Sequence, residues 1–295
     1  MESPVELRHL RYFVAVAERL HFARAAQALG IAPPTLTVQI QEIERSLQAR
    51  LFSRSKRSVA LTPAGEAFLA EARATLERFE RALGVGRRAG RGEIGRIEIG
   101  YVGSAVFAGI LQREVHRFRA ARPGVLVRAR ELPMESLPAE LADGGVDMAF
   151  VRLPVKLPGS LRAHVLLRDR FCVALPVGHA LADRAGAVRS RALAGETFVL
   201  PEQDLGTREV ARRGRFEPRV GGAPGGLLAV LAQVSLGAGV AVVPGVLAEV
   251  VNLPGVVFRP LAGAPVVSEV AAVYRRQEHS PAVRQLVAQM LRAGP

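Results

Sequence analysis

Apolar residues recur at helical spacing through the first part of the chain. In ELRHLRYFVAVAE, residues 6 to 18, Leu7, Leu10, Val14 and Ala17 fall on one face with Phe13 beside it, which predicts a first helix. HFARAAQALG is short, rich in alanine and closed by Gly30, so a second helix is expected to stop there in a tight turn. In LGIAPPTLTVQIQEIERSL, Leu36, Ile40, Ile43 and Leu47 define one buried stripe, and Thr35, Thr37, Val38, Gln41 and Glu42 are left free to meet a partner. Ala32 offers no capping side chain, so helix entry rests on Pro33 and Pro34. A residue before proline avoids the helical region, and proline at the first helical position is pre-set for it. Helix, short turn, helix is the unit that places its later helix in the major groove of DNA; three packed helices without nucleic acid is the alternative on pattern alone.

RLFSRSKR follows, with Arg50, Arg54, Lys56 and Arg57 and no acid among them. Val59 and Leu61 then alternate as in a short strand. A strand pair carrying Arg54, Lys56 and Arg57 would be a wing resting on phosphate, a contact that positions without specifying; a solvated loop is the alternative. Thr62-Pro63 predicts a helix start, with a hydroxyl at the cap and proline in the first turn. Beyond it Leu69, Ala72, Leu76, Phe79 and Leu83 keep a three-four spacing, a seam suited to a dimer contact. An amphipathic helix packed on its own domain would show the same spacing. GVGRRAGRGEIG, residues 84 to 95, has no periodicity and reads as a hinge at a domain boundary.

The texture then changes to short strands alternating with helices. RIEIGYVG, VLVRARE and VDMAFVR form a first set, with a helix carrying Leu111, Val115 and Phe118 between the first two. RFCVALP, TFVLP, GVAVVP and VVFRPL form a second, with a helix near Leu227 to Leu236, and SEVAAVYRR and a helix from Ser280 to Leu291 close the chain. Such alternation predicts parallel α/β units in two lobes, with ligands at the carboxyl ends of the strands in the cleft between them.

At 295 residues and 49% hydrophobic content there is ample material for packed cores. A net charge of +13 favours polyanionic partners. The first 90 residues carry 14 Lys or Arg against 9 acids, so local clustering marks the N-terminal part better than total charge does. No apolar run has the length of a membrane span and MESPVELRHLRY has no apolar signal core, so a cytoplasmic location and no membrane contact are expected. One cysteine, Cys172, excludes an internal disulfide and reads as a small buried hydrophobe. Six scattered histidines lack ligand spacing, so no metal and no cofactor is expected. There is no phosphate-binding loop and no dinucleotide fingerprint. Ser104 lies between strand and helix without the G-x-S-x-G of a nucleophile elbow, so catalysis is not expected. Ser104 at a helix start and Arg152 at the end of a strand would instead receive an anion. An ordinary cap and a surface salt bridge are the alternatives.

The whole chain resembles a LysR-type transcriptional regulator. ELRHLRYFVAVAE, RAAQALGIA and LFSRSKRSVALTPAG carry the likeness most specifically, and LADGGVDMAFVR, CVALPVGHAL and VSLGAGVAVVP follow in the family's order. The resemblance implies a winged helix-turn-helix in residues 1–62 and a linker helix and hinge in 63–93. It implies an effector domain like periplasmic binding proteins in 94–295, lobe I at about 94–165 and 268–295 and lobe II at about 166–267. Further implications are double-stranded promoter DNA as partner, a homodimer assembling to a tetramer, RNA polymerase as a further partner, and a small-molecule effector that alters DNA bending. The family's recognition helix usually reads S-Q-P-x-L-S-R-Q-I or A-Q-P-P-L-S-R-Q-I. Here Pro33 stands for the glutamine that reaches a base edge and Val38 for the arginine, while Pro34 is kept and Thr37 keeps a hydroxyl. Both changes leave apolar surface suited to a thymine methyl. Ala23 stands where the second helix usually has a hydroxyl cap, whose loss typically costs about 0.5–2 kcal/mol. The family's effector contacts fall nearest to Ser104, Met134, Arg152, Pro201 and Gln203. The N-terminal likeness leans toward regulators of aromatic catabolism and thus toward an organic or aromatic acid. A rival is a solute-binding or enzymatic α/β cleft protein whose N-terminal helices serve only oligomerisation.

Overall fold

A computed structural model of the chain describes residues 5–55 and 58–293. These form two compact units, one ending at Arg88 and the other beginning at Ala89. The first runs α1 (Leu7–Arg19), α2 (Phe22–Leu29), α3 (Pro33–Ser46), β1 (Phe52–Arg54), β2 (Val59–Leu61) and α4 (Pro63–Gly90). Phe13, Val16, Leu36, Ile40 and Ile43 are fully buried in its core. The predicted face of α1 is therefore rotated: Phe13 and Val16 lead, and Leu7, Leu10 and Val14 are half-buried at its flank. Gly30 closes α2 in the left-handed region, at φ 66°, where a glycine has no Cβ to clash. The cap of α2 is not missing, because the helix starts one residue before Ala23 and the ring Nδ1 of His21 accepts from the Arg24 N–H at 3.3 Å. α3 begins at Pro33 with no side-chain cap at Ala32. Leu47 is not part of the buried stripe: the helix ends at Ser46, and Leu47, in the cap position, is 42% exposed.

β1 and β2 pair antiparallel, Phe52 opposite Leu61 and Arg54 opposite Val59. The Thr62 hydroxyl accepts from the Gly65 N–H at 3.0 Å, capping α4. The expected hinge at residues 84–95 is helical as far as Gly90. Once a long helix is nucleated, each further residue adds a hydrogen bond, and Arg87 and Arg88 suit the negative end of the helix dipole.

The second unit contains β3 (Ile94–Tyr101), α5 (Gly103–Phe107), α6 (Ile110–Ala121), β4 (Gly124–Glu131), α7 (Leu137–Ala142), β5 (Met148–Leu153) and β6 (Leu161–Pro176). It continues with β7 (Thr197–Pro201), α8 (Leu205–Gly214), β8 (Arg219–Gly225), α9 (Leu227–Ser235), β9 (Ala241–Pro244), α10 (Leu247–Val250), β10 (Val256–Pro260), β11 (Val267–Arg275) and α11 (Pro281–Ala293). In the first lobe β3 pairs parallel with β4 and β5, but β11 runs antiparallel to both β5 and β6. The purely parallel expectation fails there because β11, returning to the first lobe after the whole of the second, inserts between β5 and β6 and runs opposite to both. In the second lobe the end of β6 pairs with β9 and β10, and β7 pairs parallel with β8.

β6 belongs to both lobes. Leu161 and Leu166 lie in the core with Ile97, Phe150 and Val270, whereas Phe171, Val173 and Leu175 pack with Phe198, Val210 and Val242. Cys172 and Ala174, alternating with them, face Leu231, Val234 and Ala241 on the sheet's other side. Its first half escaped sequence reading because it is an edge strand in the first lobe, carrying Arg162, Arg168 and Asp169. α8 escaped because its buried face is made of small residues, Gly206, Thr207, Val210 and Ala211. No helix among the described residues is long and apolar enough to cross a membrane.

Candidate functional site

On α3, Thr35, Val38 and Gln41 are exposed, Val38 to 49%, while Leu36, Ile40 and Ile43 anchor the other side. Pro33 and Pro34 are exposed at its first turn. Thr37 is half-buried, and its hydroxyl donates to the Pro33 carbonyl at 3.0 Å, so the hydroxyl proton is spent within the helix. A polar chain fixes the helix against α1. The Glu6 N–H donates to His9 Nδ1 at 2.8 Å, so Nε2 carries the ring proton and donates to Gln39 Oε1 at 2.8 Å. Gln39 Nε2 in turn donates to Glu42 at 2.8 Å. Gln39 is thereby held to the protein, and the outward surface is left to Thr35, Val38 and Gln41.

The wing is tied to α3 by Glu44, a carboxylate whose side chain is 4% exposed. Its Oε1 accepts from the Leu51 and Phe52 N–H groups at 2.9 and 3.2 Å, and its Oε2 lies 3.2 Å from Arg50 and 3.6 Å from Arg54. Arg54 also lies over the Phe22 ring at 4.3 Å. Expected on phosphate, Arg54 has 29% of its side chain exposed and the rest held between a buried acid and an aromatic face of its own unit. Lys56 and Arg57 lie outside the described residues.

Along α4 the expected seam divides. Ala72 is 1% exposed in the core of its own unit and so is not free for a second chain, while Leu69 is half-buried against that core. The reason is local: the first turns of α4 cover Phe13, whose ring lies 4.9 Å from that of Phe68. Leu76 and Phe79 are half-buried and Leu83 is 38% exposed. Arg11 of α1 reaches the same stretch, 3.2 Å from Glu80 and 5.7 Å from the Phe79 ring centre.

Between the lobes of the second unit lies a cavity of about 290 Å³. Its walls come from the carboxyl ends of strands: Tyr101 of β3, Glu131 of β4, Arg152 of β5, Pro201 of β7, Gly225 of β8 and Pro244 of β9. Phe107, Phe171, Gln203 and the first turn of α9 complete them. Cavities of about 150 Å³ accept benzene, so this one has room for a ring and polar substituents.

Ser104, Arg152, Pro201 and Gln203, named from sequence, all line this cavity. Ser104 is not the cap of α5, however, since Val102 holds that position. Arg152 is 3% exposed and makes no salt bridge among the described residues. It donates to the Ser268 hydroxyl and, at 3.2 Å, to the Ser104 carbonyl, while Gln203 Nε2 donates to the Arg152 carbonyl at 3.1 Å. Burial lowers its pKa from 12.5 to about 10, partly offset by Asp169, so it stays cationic at neutral pH. Met134 does not line the cavity. Its side chain is 7% exposed in the first lobe's core, and only its N–H turns toward the other lobe, donating to Glu202 Oε1 at 2.6 Å. An apolar side chain in the turn that follows β4 gains more from that core than from the cleft.

Sequence reading missed Tyr101, Phe107, Glu131, Phe171, Glu202 and the start of α9. Glu131 and Pro244 were within reach, because each is the last residue of a strand the pattern identified. Phe171 was not, since it stands at the start of the strand RFCVALP and ligands are sought at carboxyl ends. Among the described residues no cluster of histidine, cysteine and acids has metal-binding geometry. Cys172 is buried, and its pKa is pushed up to about 12 by burial and by Asp169.

Residues 7–66 match the family described as bacterial regulatory helix-turn-helix protein, lysR family, and residues 90–295 match the LysR substrate binding domain. The HTH-type transcriptional regulator YnfL of Escherichia coli K12, itself described as uncharacterized, is 37% identical over 246 residues, 81% of this chain and 82% of YnfL. XapR of the same organism is 36% identical over 251 residues, 81% of this chain and 82% of XapR. The crystal structure of full-length CbnR complexed with target DNA is similar with a TM-score of 0.82 at 25% identity, covering 98% of this chain and 99% of that one.

Proposed function

The chain belongs to the LysR family of DNA-binding transcriptional regulators with an effector-binding domain, and from that premise we propose how its parts divide the work. α3 enters the major groove of promoter DNA, with Pro33, Pro34 and Thr35 at its leading end and Thr37, Val38 and Gln41 along it. Val38 meets a thymine methyl. Lys56 and Arg57 rest on phosphate, and Arg54 braces the wing they belong to. Leu76, Phe79 and Leu83 of α4 form the dimer seam, dimers pair into tetramers, and RNA polymerase is a further partner at the promoter. The protein works in the cytoplasm. A small organic acid in the inter-lobe cavity, received by Arg152 and Ser104 and flanked by Pro201 and Gln203, alters promoter binding. The cavity binds its ligand without turning it over, in keeping with relatives that are transcriptional regulators.

The observation that carries the reading is the exposure of Thr35, Val38 and Gln41 on a helix whose opposite face is locked into a core. Paired half-sites need paired readers, which is what the free end of α4 supplies. A gel shift with the DNA upstream of the protein's own gene tests it. Sequence-selective binding that weakens steeply with salt is expected. Its absence at moderate ionic strength overturns the regulator reading in favour of a cleft protein with an N-terminal oligomerisation module.

A further inference from the structure

Resting on the effector reading above, we propose that the ligand of the inter-lobe cavity is a small zwitterion, a carboxylate and an amino group on one apolar body. The ionisable groups lining the cavity are Arg152, Glu131, Glu202 and the Tyr101 phenol. A plain acid would answer only the first. Arg152 is 3% exposed, and its Nε–H is buried without an acceptor among the described residues. The first turn of α9 opens on the same space, its N-cap is Gly226 and it carries no acidic residue, so no side chain of its own takes up its free N–H groups. Arg152 and the start of α9 therefore bring donors and positive charge to the cavity wall.

The same wall carries two acids, Glu131 and Glu202. Glu202 Oε1 already accepts the Met134 N–H. Glu131, solvent-exposed at the cavity wall, has no hydrogen bond or ion pair among the described residues. Its carboxylate packs against Gly103, where a Cβ would stand 2.5 Å from Oε1, so only a glycine leaves it this place. Tyr101, Phe107, Phe171 and Leu227 supply apolar lining for the body of the ligand. A ligand with a carboxylate alone leaves Glu131 facing it unpaired, and an amine alone leaves Arg152 unanswered. A molecule bearing both satisfies each with an opposite charge.

The test is calorimetric titration of the full-length protein with the protein amino acids, each beside its desamino acid and its decarboxylated amine. Phenylalanine, 3-phenylpropionate and phenethylamine form one such series. At least one amino acid is expected to bind about tenfold or more tighter than both of its counterparts, as one charge-assisted hydrogen bond allows. Glu131→Gln is expected to bring it down to the level of its desamino acid while leaving that acid's own affinity in place. The proposal is overturned if an acid binds as tightly as its amino acid, if the margin survives Glu131→Gln, or if no amino acid binds at millimolar concentration. Ala229→Trp, at an exposed position on the cavity wall, separates the two levels of the argument. If acids alone bind and Ala229→Trp abolishes their binding, the effector reading stands and the zwitterion falls. If no compound of any class binds, both fall together.

Discussion

On α3 the outward residues Thr35, Val38 and Gln41 are neighbours in sequence, borne by one helix whose far side is core. In the cavity Tyr101, Glu131, Arg152, Pro201 and Pro244 come from different strands and are united only by topology. The two surfaces also differ in charge. The helix presents uncharged groups, Thr35, Val38 and the amide of Gln41, with Gln39 tied inward, whereas the cavity concentrates ionisable groups around a buried guanidinium. Local periodicity is therefore enough to find a reading helix, while a ligand pocket is hidden until strand order is known.

The sharpest way to break this comparison is at Glu44. Glu44→Ala removes a buried carboxylate that holds two backbone N–H groups and two arginines, and is expected to destabilise the first unit by about 3 kcal/mol. Chemical denaturation should show an early transition for that unit, with the transition of the effector domain unmoved. A matching loss in both would show that the two units do not fold independently.

A smaller effect sharpens the helix side. Val38→Ala is expected to lose about 1 kcal/mol at a single base step, read as a gel-shift scan of thymine-to-uracil replacements. Lys56→Ala should instead weaken all sequences alike and lower the salt slope by about one. Equal losses on thymine and uracil probes at every position would remove the methyl contact.

On the cavity side, Ser104→Ala should shift the ligand titration and leave promoter binding intact; an unchanged titration would remove Ser104 from the site. The smallest effect is expected at Cys172. With the thiol at about 12, thiolate is roughly one part in ten thousand at pH 8. The titration runs in the direction of a neutral thiol across the whole neutral range, and alkylation followed by mass spectrometry should label Cys172 only after unfolding. Rapid labelling of the folded protein would mean that the second lobe opens readily.

How far the sequence was legible follows the same division. Leu36, Ile40 and Ile43, the turn at Gly30, the entry at Pro33 and the cap at Thr62 were all readable, because each depends on residues a few positions apart. Ala72 was misread because three-four spacing is the same whether a helix packs on its own domain or on a twin. Met134 was misread because position at a strand end does not say which way a side chain turns, and the core took it. Glu44 gave no signal at all: a glutamate within a helical run becomes an anchor only when Leu51 and Phe52 fold back upon it.

β6 has a mechanical meaning. Because one continuous strand is shared by both lobes, cleft opening cannot be a free separation of two bodies. The segment before β11 crosses as well, Val266 packing in the second lobe's core and Val270 in the first's, with the Phe171 N–H donating to the Val266 carbonyl. Two neighbouring stretches of backbone thus form one seam, and any widening at Arg152 and Glu202 would have to be taken up as bending or twist in both.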